Sequence, residues 1–203
     1  MNSTYFFTDF NKQANEYAQL NALKSCGFIG LYGDASWLAA AELSGDNAAI
    51  WQTLTRHREV YVCPSAARRR GIEAEQPPRA GLRWLSLASM LEYMAPRDGE
   101  PWTISVCLAS DTDLARTEAL ELCLAALALD FTVQLSLRGA GILGLQKSLA
   151  RAGAKAYASL AMFGLPHALI AASEMATREL DVDALSLPWR VGTPMQIPLM
   201  FEF

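Results

Sequence analysis

The chain has 203 residues, enough for one sizeable domain or two small ones, and 52% of them are hydrophobic. That content excludes a disordered or fibrous protein, yet no apolar run reaches the roughly 18 residues that a membrane span requires. A formal charge of −4, with Arg68-Arg69-Arg70 as the one dense basic run, excludes the broad positive footprint of a protein that binds nucleic acid directly.

A mean hydropathy of +0.13 is high for a chain with no membrane span, and it predicts that surplus apolar surface meets another subunit, in a homo- or hetero-oligomer. Met1-Asn2-Ser3-Thr4-Tyr5 lacks the basic segment and apolar core of a secretory signal, which predicts a cytoplasmic, reducing location.

In chain order, residues 4–7 read as a short strand and residues 11–25 as a helix ended by Cys26-Gly27. Residues 28–32 form a second strand closed by Gly33-Asp34. Residues 35–43 and 47–56 have helical composition, and Val60-Tyr61-Val62 is a third strand. Residues 64–71 begin a helix, residues 73–79 with Pro77-Pro78 a loop, residues 82–85 a short strand and residues 87–94 a helix. Residues 96–101 read as a linker. Beyond it the order returns, with strand 102–109, helix 114–129 and strand 132–137 ending in Arg138-Gly139-Ala140-Gly141.

This is a duplicated plan. Gly33 precedes Cys63 by 30 residues, and Gly139 precedes Ala171 by 32, where residues 168–171 are the matching strand. Ala171 takes the place of Cys63, and an arginine stands seven residues on in both copies, Arg70 and Arg178. Strands alternating with helices predict an α/β fold of two tandem similar units, 1–97 and 98–203. Each is a small, mostly parallel sheet with helices on both faces, and the two pack as a pseudodimer.

The chemistry of the sequence centres on Cys63, which ends an apolar strand and stands directly before Pro64. Proline is favoured at the first helical position, so Cys63 is the expected N-cap, where unpaired backbone donors and the helix dipole favour a thiolate. The competing reading is a small buried hydrophobe at a strand end. Cys107 and Cys123 read as core, and Cys26 as a helix-end residue. The four cysteines and two histidines fall in no metal-binding or disulfide pattern, so neither zinc nor a disulfide framework is indicated, and thiol chemistry at Cys63 requires no metal or organic cofactor.

His57 stands at the far end of the cysteine strand, about 20 Å away at 3.3 Å per residue, which disfavours a Cys-His hydrolase. His167 is remote in sequence. In open α/β sheets, sites gather at the carboxyl ends of the strands, which makes Gly33, Asp34, Pro64 and Ser65 candidate lining residues. Gly33, Gly139 and Gly141 read either as tight turns that expose backbone donors or as ordinary turn residues. Arg68, Arg69 and Arg70 read as a solvated helix face or as a docking patch for an acidic partner, with Arg70 about 10 Å from Cys63 along the helix.

The run from Val60 to Ile72, Val-Tyr-Val-Cys-Pro-Ser-Ala-Ala-Arg-Arg-Arg-Gly-Ile, resembles the cysteine segment of the TusD/DsrE subunits of sulfur-relay proteins. There an apolar strand ends in Cys and is followed by small residues, Arg-Arg and Gly. Residues 4–34 are similar to that family's opening β-α-β, and residues 82–94 to its late strand and helix. Residues 102–203 resemble a TusC/DsrF subunit, with residues 199–203 similar to the family's terminal strand.

The resemblance implies that Cys63 accepts sulfane sulfur as a persulfide and hands it to the thiol of another sulfur-relay protein, in tRNA thiolation or sulfur oxidation. It also implies a cysteine-bearing and a cysteine-less unit fused in one chain. Two other readings stand beside this one: a non-catalytic assembly subunit, and a small-molecule binding module suggested by the glycine turns.

Overall fold

The apolar runs of the first half become strands because each is short, bounded by turn residues and rich in β-branched or aromatic side chains. They are β1 (Thr4–Phe7), β2 (Phe28–Leu31), β3 (Val60–Val62) and β4 (Leu82–Trp84), all parallel and in the spatial order β1-β2-β3-β4. The structure, a computed structural model, describes residues 4–10, 13–22, 27–54, 56, 60–73, 80–95, 102–148, 153–177, 188–192 and 200–203. The chain divides into two compact units, Met1–Met94 and Ala95–Phe203, against an expected division after residue 97.

Parallel neighbours need a crossover between them. In the first unit the crossovers are α1 (Ala14–Ala22), a 3₁₀ segment (Gly33–Ala39) followed by α2 (Gly45–Leu54), and α3 (Pro64–Arg69). Right-handed crossovers between successive strands put all of these on one face. Accordingly Leu20, Leu38, Leu54 and Ala67 share a core with Phe7, Ile29, Leu31, Val60 and Val62.

Strand alternation sends Phe6, Phe28, Gly30 and Tyr61 to the opposite face, where α4 (Leu87–Met94) packs. A Cβ on Gly30 would meet the Phe6 ring at 2.9 Å and Met90 Sδ at 3.4 Å. The rings of Phe28, Tyr61 and Tyr93 stack there, with centroids 4.9 to 6.1 Å apart.

The second unit contains β5 (Thr103–Leu108), β6 (Thr132–Leu137), β7 (Ala168–Ile170), β8 (Trp189–Val191) and β9 (Met200–Glu202), parallel throughout and ordered β8-β7-β6-β5-β9. Its helices are α5 (Asp113–Ala128), α6 (Gly139–Ser148), α7 (Gly153–Ser159), which runs into a 3₁₀ turn (Leu160–Phe163), and α8 (Ala172–Thr177). Thr112 caps α5 by accepting from the Ala115 N–H at 3.2 Å. The helix ends where Asp130 turns left-handed at φ +61 and the Phe131 N–H returns to the Ala126 carbonyl at 3.0 Å. Its buried stripe of Ala119, Leu122, Cys123 and Ala126 packs on β5 and β6.

The two units repeat one plan in detail. The first four strands of each are in the same order, and β9 adds a fifth beside β5. After the second strand of each unit the chain turns through a glycine at positive φ, Gly33 at +54 and Gly139 at +48. The same backbone bonds follow. Tyr32 N–H donates to Phe7 O as Arg138 N–H does to Leu108 O, and Ala35 N–H donates to Thr8 O as Gly141 N–H does to Ala109 O. Ala171 stands between β7 and α8 just as Cys63 stands between β3 and α3.

Two expectations need adjusting. Residues 35–43 do not form an α-helix: the tighter 3₁₀ segment takes their place, because the Ser36 hydroxyl donates to Gly33 O at 2.7 Å and Ala35 is tied to Thr8. Arg138-Gly139-Ala140-Gly141 is not a simple turn, since Gly139 opens α6. Residues 74–79 of the loop expected at 73–79, the linker at 96–101, Cys26, His57 and Arg178 lie outside the described residues. Among the described residues no helix is long and apolar enough to cross a membrane.

Candidate functional site

β2 and β3 pair with Leu31 opposite Val62, so the chain leaves the first sheet at Tyr32 and at Cys63 side by side. The Cys63 N–H still donates to Leu31 O at 3.0 Å. Its backbone is extended, at φ −71 and ψ 119, and its carbonyl accepts the Ala67 N–H at 3.1 Å. With Pro64 at the first helical position, Cys63 is the N-cap of α3.

The thiol does not make the capping bond expected of it. Sγ lies 3.1 Å from Ser65 Oγ, in a hydrogen bond that either atom can donate. Cys63 is 1% exposed. The polar group brought to the sulfur is therefore a serine hydroxyl, in place of a helix amide. Pro64 and Ser65, the expected lining residues, are half-buried in the same turn.

The arginine run separates into three different environments. Arg68 is exposed, with Nε donating to Pro64 O at 3.2 Å, as a surface residue should be. Arg69 is half-buried. Arg70 corrects the expectation of a solvated or docking residue, because its side chain is 3% exposed. It caps the end of α3 just before Gly71, at φ +73, reverses the chain.

The Arg70 guanidinium turns inward, donating through Nη1 to Ala66 O at 3.1 Å and through Nη2 to Asp34 Oδ1 at 2.7 Å. Asp34, whose side chain is 61% exposed, thus has a defined partner and ties the 3₁₀ segment to α3. Gly33 makes the left-handed turn into that segment and is itself buried.

Gln13 is a residue of this sheet edge that the sequence did not single out. It is buried, accepts from the Thr8 N–H at 2.6 Å through Oε1 and donates to Phe6 O at 3.0 Å through Nε2, which fixes the turn after β1. No local motif announces it, since its partners are carbonyls and amides of any identity.

Cys107 and Cys123 are fully buried, as expected of core residues. Burial within α5 pushes the Cys123 thiol up to about 12, so it remains a neutral thiol at ordinary pH. Among the described residues no group of three or more His, Cys, Asp or Glu side chains is placed to hold a metal ion. The arrangement can offer one thiol, beside one hydroxyl, at the carboxyl edge of a parallel sheet. Comparison of the chain with protein-family models, with curated proteins and with solved structures finds no match, so the reading of this site rests on its own residues and geometry.

Proposed function

We propose that the chain is a sulfur carrier of the DsrE/DsrF type, accepting sulfane sulfur on Cys63 and passing it to a thiol of another relay protein. The observation that carries this reading is the position of Cys63: at the carboxyl end of β3, as N-cap of α3, with Ser65 Oγ 3.1 Å from its sulfur. The likeness of residues 60–72 to the relay cysteine segment supports it. In this reading the first unit is the DsrE/TusD-like partner and the second, with Ala171 at the equivalent turn, the DsrF/TusC-like one.

The chemistry is two thiol exchanges. The Cys63 thiolate attacks the outer sulfur of a donor persulfide, forming an S–S bond as the donor thiolate departs. An acceptor thiolate then attacks the outer sulfur of the Cys63 persulfide, and the Cys63 thiolate is the leaving group. Electrons balance at each step without a further reductant. The Ser65 hydroxyl is placed to donate to the sulfur whenever it carries negative charge. A carrier of this kind works in a reducing, cytoplasmic setting and associates with donor and acceptor proteins.

One observation favours a second reading, a non-catalytic assembly subunit: the 1% exposure of Cys63 means that a donor reaches the sulfur only if the turn at Pro64 and Ser65 moves. Intact mass measured after incubation with a persulfide donor, with and without dithiothreitol, separates the two. The carrier gains a reducible sulfur adduct that is absent from Cys63→Ser. A wild-type chain that gains none, or a variant that gains as much, makes the assembly subunit the better account.

A further inference from the structure

The second unit contains a cavity of about 530 Å³ at the amino-terminal end of its sheet, the end opposite the turn that holds Ala171. Its volume lies within the range of small-molecule pockets. Thr103 and Thr132, paired in the β5–β6 ladder, line it together with Gln134, His167, Arg190 and Phe163.

The duplication sharpens its meaning. By position in the strands, Gln134 corresponds to Phe28 and Leu169 to Tyr61. In the first unit those two rings stack and, with Tyr93, fill the sheet face. In the second unit the same positions carry an amide and a leucine, and both line the open cavity.

Of the polar lining residues, Gln134 keeps its Nε2 buried, with no hydrogen-bond partner. Arg190 has no ion-pair partner among the described residues, and neither does Asp130, the one acidic residue of the lining, which is exposed to solvent. The lining offers a guanidinium and two hydroxyls, together with the ring of Phe163 and the apolar side chains of Leu165 and Leu169.

The geometry points to a binding site in the second unit for a small organic anion, a carboxylate or phosphate borne on an aromatic or apolar body. Arg190 holds the charged end, and Phe163 with Leu169 holds the body. This site is independent of Cys63 and of the reading given to it.

The test is calorimetric titration of the full chain with phenyl phosphate and with benzoate, using phenol as the uncharged ring. Saturable binding of either anion, but not of phenol, is expected in wild type and in Cys63→Ser, and the tighter anion tells phosphate from carboxylate. Arg190→Gln, a change to an exposed side chain, should weaken that binding about 10- to 100-fold, the loss of one charge-assisted bond. Asp130→Asn keeps a residue that tolerates the left-handed backbone and removes a like charge, so it should bind as tightly or more tightly. The proposal is overturned if neither anion binds at millimolar concentration, if phenol binds equally, if Arg190→Gln binds as wild type does, or if Asp130→Asn weakens binding.

Discussion

Cys63 and Cys123 are both buried, the first beside a serine hydroxyl at a strand end and the second within a helix. Cys123 is enclosed by α5 and the sheet, and burial raises it from an ordinary value of 9.0 to about 12. The folded chain then holds this proton more tightly than the unfolded chain does. The stability linked to it is complete below pH 9 and is lost as the pH rises toward 12. Cys123→Ala should accordingly flatten the alkaline fall of unfolding free energy over that interval, and an unchanged slope would show that another group governs it.

A second residue-scale prediction concerns Asp34. Replacing it with Ala leaves the buried Arg70 guanidinium with fewer acceptors, at a cost of about 1–2 kcal/mol read from the urea midpoint. A midpoint within error of wild type would show that solvent replaces the carboxylate without loss. Cys63 could be placed from sequence because proline marks the helix start one residue later. Arg70 could not, because its carboxylate partner lies 36 residues away and only the folded chain brings them together.

Among the elements, most strands were easy to read as bounded apolar runs, but β8 was not, because a charged arginine stands at its centre. Helices built on small residues were harder. α6 opens with Gly-Ala-Gly, which in sequence is a turn and in the structure is a helix pressed onto the end of β5. A Cβ on Gly141 would stand 2.2 Å from Leu108 O, so Gly141 serves a close backbone approach, unlike either role read for it from sequence.

Gly71 is different, being required by its φ of +73 with open space around it. Gly71→Ala should cost only about 1 kcal/mol, whereas Gly141→Ala should cost ~3 kcal/mol or more, because backbone must shift. Chemical denaturation of both variants checks the order, and equal losses would contradict the steric argument.

For the whole molecule, the repetition of strand order, glycine turns and backbone bonds makes each unit a control for the other. The repeat was visible in sequence from the spacing of Gly33 to Cys63 and Gly139 to Ala171. The cavity of the second unit was not visible, because it arises where stacked rings of the first are replaced by Gln134 and Leu169. Ala171 is followed two residues later by Ser173, as Cys63 is by Ser65, and Ala171 is half-buried where Cys63 is buried. Ala171→Cys placed in a Cys63→Ser background should therefore be alkylated by iodoacetamide faster than native Cys63. A slower reaction would mean that the two turns differ in more than one side chain.

The fifth strand of the second sheet also divides the two units in time. In the first sheet each strand meets its neighbour after a few dozen residues, as Ile29 meets Val60. In the second, Ser105 waits for Met200 across roughly 95 residues of intervening chain. Folding slows as contacts become more distant in sequence, so the first unit should reach its native pairing while the second is still searching for the last of its own. Cys63 is then shielded early, and a free thiol spends little of the folding reaction open to oxidants.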